Sequence, residues 1–158
     1  MAGNDTQGIL KQIDELWRPF MAEVERLGES GIEQPTTAGW SAKEMLAHIA
    51  FWDEAVEGAV TMLFRQASLP EGWRFGSGYM SEDGDWPQDF VHNAREAEWA
   101  RGQPAEAVLS RLESAHQRML TFMETVTDEE VAAHPEYFPE LAKHYQEHLP
   151  ELRGLKRV

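Results

Sequence analysis

A chain of 158 residues, 42% of them hydrophobic, with six Trp and seven Phe, can bury a real core and is too apolar to be disordered. Its 28 acidic against 14 basic residues give a net charge of −14, which repels a phosphate backbone and argues against a nucleic-acid partner. The lack of cysteine excludes disulfides, zinc–thiolate sites and a cysteine nucleophile, and no apolar run reaches the ~18 residues of a membrane span.

Residues 1–10 are polar and lack the basic start and apolar core of a signal peptide, so a cytoplasmic setting is expected. The first predicted helix runs from Thr6 to Leu27. Leu10, Ile13, Trp17, Phe20, Met21, Val24 and Leu27 recur at spacings of three and four, which marks a core stripe. Pro19 lies inside it and predicts a kink.

The second helix opens on a capping box, Ser41-Ala-Lys-Glu44, with Trp40 and Met45 placed as a hydrophobic staple. Its stripe continues through Ile49, Trp52, Val56, Val60 and Leu63, and it should end near Gln66. Residues 67–86 then form an irregular stretch rich in Gly, with Trp73, Phe75 and Tyr79 between the glycines. A loop of that length is uncommon in a compact domain and is usually functional. It also serves as a crossover. A short helix is expected from Pro87 to Arg101.

The third long helix starts at Pro104 and buries Val108, Leu109, Leu112, Met119, Leu120, Met123 and Val126. Thr127-Asp-Glu-Glu130 is a second capping box, opening a one-turn helix. The fourth long helix spans Pro139 to Arg153. Four core-facing helices, one long crossover and no strand signal predict an all-α four-helix bundle, one domain over residues 1–158.

The chemistry of this chain rests on histidines. His144 and His148 are spaced i, i+4 on the fourth helix, which places two imidazoles one turn apart on one side. A third imidazole from another helix, His48, would complete a three-nitrogen face for a divalent ion with a position left open. At about 100° per residue, His48 falls roughly 80° from the centre of its apolar stripe. His148 falls about 60° and His144 about 100° from theirs. Such flank positions lean toward a neighbouring helix while staying near water. A bland reading is also available, because an i, i+4 pair of boundary histidines with no common ligand is as common as a metal pair.

The segment Gly39-Trp40-Ser41-Ala-Lys-Glu-Met-Leu-Ala-His48-Ile-Ala-Phe-Trp52 resembles the Trp-Ser-x-x-(Asp/Glu)-x-Leu-x-His-Leu-x-x-Trp segment of the DinB-like superfamily. Those proteins are bundle metalloproteins related to the damage-inducible and YfiT-like proteins and to the mycothiol-dependent maleylpyruvate isomerase domain. The stretch from Trp86 through Asn93 to Glu130 is similar to the DfsB branch. The resemblance covers nearly the whole chain. It implies that His48, His144 and His148 ligate one divalent ion, nickel or zinc first, with iron or manganese as further choices. It also implies an up-down-down-up bundle, a homodimer, and a role in small-molecule metabolism or stress response.

An open-coordinated ion lowers the pKa of bound water or of a bound thiol. A metal-dependent hydrolase acting on a small molecule, the first reading, would use the water. A thiol-dependent transferase or isomerase would need an exogenous low-molecular-weight thiol, because the chain has no cysteine. A non-catalytic binder of a small molecule or partner is the alternative from another class. Asp53, with Glu54 beside it, is a candidate general base, and Glu147 or Glu151 could orient a ligand imidazole. Asp53 and Glu147 are thus the candidate catalytic residues. Trp52, Trp73 and Tyr79 are candidate pocket walls, and Asn93 joins them through the resemblance. Arg65, Arg74 and Arg95 could line the crossover side. His92, His116 and His134 lack a helical partner and read as surface or boundary residues. Asp83-Gly-Asp85 reads as a turn.

Overall fold

The computed structural model describes residues 5–79 and 89–158, and among these the chain is helical, without a strand. The helices are α1 (Thr6–Gly31), α2 (Ala42–Ala59), α3 (Asp89–Arg101), α4 (Ala105–Met123), α5 (Asp128–Ala133) and α6 (Phe138–Arg153). Its contacts divide it into two compact units, Met1–Ala42 with Leu120–Val158, and Lys43–Met119. None of the described helices is long and apolar enough to cross a membrane.

In the first unit α1 packs along α6. Asp5 caps α1 by accepting from the Gly8 amide at 2.7 Å. Ile9, Ile13, Phe20, Val24 and Leu27 are buried, while Leu10, Trp17 and Met21 of the predicted stripe are half-buried. Pro19 lies inside α1, and the helical angles fail further on, at Gly28, where φ is 67° and ψ −175°. Only glycine enters that region without a Cβ penalty, so the chain turns where glycine stands, one residue past the predicted end. On α6, Tyr145 is fully buried, its ring 5.1 Å from Trp17 and 5.5 Å from Phe20. Further along, Arg26 Nη2 donates to the Leu152 carbonyl at 3.1 Å. Contacts therefore rise together along both helices, and α1 and α6 point the same way. The Thr127 capping box forms as expected and opens α5.

The second unit is built on α2, whose residues 45–51 are all buried. A helix covered all round is a central one. It continues as a π-helical turn, Val60–Phe64, and stops before Gln66, which takes a positive φ of 52°. The wider π turn rotates its own residues off the stripe, and Leu63, predicted as core, is 54% exposed. Glu44 meets Arg101 at 3.1 Å and Trp52 meets Asn93 at 3.2 Å, so α3 runs antiparallel to α2. Glu54 pairs with Arg111 and Glu57 with Arg118, so α4 runs parallel to α2. That is what a long crossover permits. Of this crossover, Trp86, the Asp83-Gly-Asp85 turn and the expected start at Pro87 lie outside the described residues.

The sequence reading misplaced two histidines. His92 and His116 are 0% and 4% exposed, not surface residues. His92 lies under aromatic rings, with Phe51 at 4.4 Å and Tyr79 at 5.7 Å. His116 faces Asp53 at 4.0 Å. Long-range packing buries them, and a helical periodicity built on apolar residues does not register a histidine as core.

Candidate metal centre

His48 stands in the buried run of α2, and its surroundings settle its proton. Its Nδ1 lies 2.9 Å from Asn93 Oδ1, and Trp52 Nε1 lies 3.2 Å from the same atom. An indole nitrogen only donates, so the Asn93 atom between the two rings is its carbonyl oxygen. His48 Nδ1 therefore carries the hydrogen, and Nε2 keeps its lone pair.

His148 repeats this arrangement on α6. Its Nδ1 lies 3.2 Å from Glu151 Oε1, one turn on, and a carboxylate only accepts from it. In the neutral ring Nε2 is then the acceptor nitrogen. Glu151 Oε2 is enclosed and has no hydrogen-bond partner among the described residues. The ring of His144 meets that of His148 edge-on, centroids 5.0 Å apart, and Trp40 lies 5.9 Å from His148.

One ring nitrogen from each of His48, His144 and His148 lies within 4.8 Å of the others, a group that could hold a metal ion. The donor set fits such an ion. Two of the three imidazoles have Nδ1 committed to an acceptor, which orients the ring and raises its basicity, as ligand histidines require. Three neutral nitrogens suit a borderline divalent ion and leave its charge uncompensated.

The other candidates divide sharply. Asn93 and Trp52 belong at His48, Asn93 as the acceptor and Trp52 as the second donor to it. Of the two candidate glutamates on α6, Glu151 reaches a histidine while Glu147 is exposed. Asp53 is 3% exposed and faces His116 of α4. Glu54 is bound to Arg111. Trp73 is packed with Phe51, Ala55 and Phe75, its Nε1 donating to Glu57 at 2.8 Å, which is a core position more than a pocket wall. Tyr79 carries the Arg95 guanidinium 3.9 Å over its ring and lines a cavity of about 290 Å³ with Ser77, Arg95, Glu98 and Trp99.

Sequence reasoning missed Arg111 altogether. It is buried against Glu54 and Glu96, and the signal was available: it follows Val108 by three, inside the apolar stripe of α4.

No curated protein and no solved structure matches the chain. A family model does, over residues 13–149, a span that holds all three histidines. Its description is the mycothiol maleylpyruvate isomerase N-terminal domain, and the chain belongs to that DinB-like family.

Proposed function

We propose that this protein is a divalent-metal-dependent enzyme that uses an exogenous low-molecular-weight thiol on a small molecule. The observation that carries the reading is the group of three imidazole nitrogens within 4.8 Å of one another. His48, His144 and His148 would hold the ion, zinc or nickel as the resemblance implies, since three imidazoles suit copper and iron as well. When bound, the ion lowers the pKa of a thiol or a water beside it, supplying a nucleophile near neutral pH.

The chain's own residues have separate tasks. Asn93 holds the His48 ring with Nε2 turned away from its hydrogen bond, and Glu151 does the same for His148. The chain contains no cysteine, so a thiol must come from a cosubstrate. Sequence alone favoured activated water and a hydrolase. The name of the family, which joins a thiol to an isomerase, moves the preference to the thiol. The hydrolase remains the second reading because the same donor set serves water equally well.

The same proposal makes residues 1–158 one up-down-down-up bundle. Two pairs of helices that run the same way, α1 with α6 and α2 with α4, support that connection order.

The deciding experiment is elemental analysis of protein purified without an affinity tag, beside His144→Ala. About one divalent ion per chain, lost in the variant, is the expected result. Mycothiol with maleylpyruvate is then the first pair to assay. Absence of metal, with no uptake when zinc or nickel is offered, would overturn the reading.

A further inference from the structure

Among the described side chains of the helix that carries Asn93, few of the buried ones are apolar. The enclosed stripe of α3 is His92, Glu96 and Ala100, at 0%, 1% and 0% exposure. A stripe of leucines would hold a helix by area. This one offers a ring packed on Phe51, a carboxylate and a methyl, and something more directional adds to the setting of its rotation.

That something is an ionic lock. Arg111 of α4 donates through Nη1 to Glu96 Oε2 at 2.5 Å. Its other edge grips Glu54 of α2 with two bonds, Nη2 to Oε1 at 2.7 Å and Nε to Oε2 at 3.1 Å. The remaining capacity is filled by the crossover: the Gly76 amide donates to Glu54 Oε1 at 2.9 Å and Ser77 Oγ to Glu96 Oε1 at 2.7 Å. Arg111 also lies 4.7 Å over the Trp99 ring. Such a buried charge cluster, with each nitrogen and carboxylate oxygen bonded, is a directional device, since a fork of fixed geometry tolerates only one placement of its carboxylates.

Glu96 is one turn beyond Asn93 on the same helix. Rotating α3 by one residue, about 100°, would take Glu96 off Arg111 and Asn93 off His48 together. We infer that Arg111 is a positioning residue for the metal centre: by locking Glu96 it fixes the rotation of α3 that sets Asn93 against His48 Nδ1. The inference rests on the proposed metal reading only for its consequence. Its geometric part stands on the bond between Asn93 and His48.

The test uses Arg111→Lys, which keeps the charge and loses the fork. In metal-free protein at about pH 8, above the ordinary imidazole range, the ring nitrogens of His48 are read by long-range nitrogen–proton NMR. The wild-type protein shows the Nδ1–H tautomer. The variant, folded by circular dichroism, shows Nε2–H or a mixture, and its zinc affinity falls by about tenfold or more. Should Arg111→Lys fail to fold, the combined variant Arg111→Met, Glu54→Gln, Glu96→Leu removes the lock without stranding a charge. A folded variant of either kind with the wild-type His48 signature overturns the inference. A protein that binds no zinc at all defeats the metal reading instead, and the tautomer still decides the role of Arg111.

Discussion

Two polar clusters of this molecule, one buried and one half-buried, are finished differently. Around Arg111 each nitrogen and carboxylate oxygen is met by the chain itself, through two carboxylates, a guanidinium, an amide and a hydroxyl. Burial works against the Arg111 charge, but the hydrogen bonds and charges of Glu54 and then Glu96 outweigh it and hold the guanidinium above its ordinary pKa. Around the histidines Nδ1 is bonded within the chain, to Asn93 at His48 and to Glu151 at His148, and one nitrogen from each of three rings lies within 4.8 Å of the others, a group that could hold an ion. The first, closed cluster fixes structure, and the second, open to an added ion, has the donors for binding one.

The largest effect expected is the one that breaks the closed cluster. Arg111→Ala strands Glu54 and Glu96, 4% and 1% exposed at their side chains, without a counter-charge. It should cost about 3–5 kcal/mol in denaturant unfolding. His144→Ala in metal-free protein, a change at a half-buried residue of the open cluster, should cost less than about 1 kcal/mol. Equal losses in the two variants would erase the distinction between a structural and a functional cluster.

A smaller effect is expected from crowding the closed cluster without removing any of it. A Cβ on Gly76 would collide with Arg111 Nε and stand 2.6 Å from Glu54 Oε2. The far end of a free arginine would move aside. This one is held on both edges, so Gly76→Ala should lower stability by about 1–3 kcal/mol. A urea midpoint equal to that of the wild type would show that the lock has slack.

How much of this was legible beforehand depended on the kind of signal. The helices announced themselves through apolar spacing, and the Thr127 box and the α6 histidine pair through local patterns of three and four residues. The glycine break at Gly28 was foreshadowed by the end of the stripe at Leu27, although the proline drew the attention. The π turn had no such signal: Leu63 keeps the apolar spacing and is nevertheless turned out. The choice of Glu151 over Glu147 was open because both lie within one turn of His148, and only side-chain direction separates them. The closed cluster joins residues 54, 76, 96 and 111, and no local pattern reports a bond across such separations.

The finest test acts on a single hydrogen bond of the open cluster. Glu151 Oε1 accepts from His148 Nδ1 at 3.2 Å, and the two side chains are 17% and 13% exposed. Glu151→Gln keeps an acceptor of the same reach and removes the charge. The ring stays oriented, but its other nitrogen becomes a poorer donor to a metal. Zinc affinity, measured by competition with a chelator, should therefore fall by about tenfold, equivalent to about 1.4 kcal/mol, with little change in the unfolding midpoint of metal-free protein. A loss of stability without a loss of affinity would place Glu151 with the closed cluster's kind of residue, as a helix-side bond that happens to end on a histidine. A loss of affinity alone would establish that the carboxylate tunes the ligand, and that the open side of His148 is where the protein meets its ion.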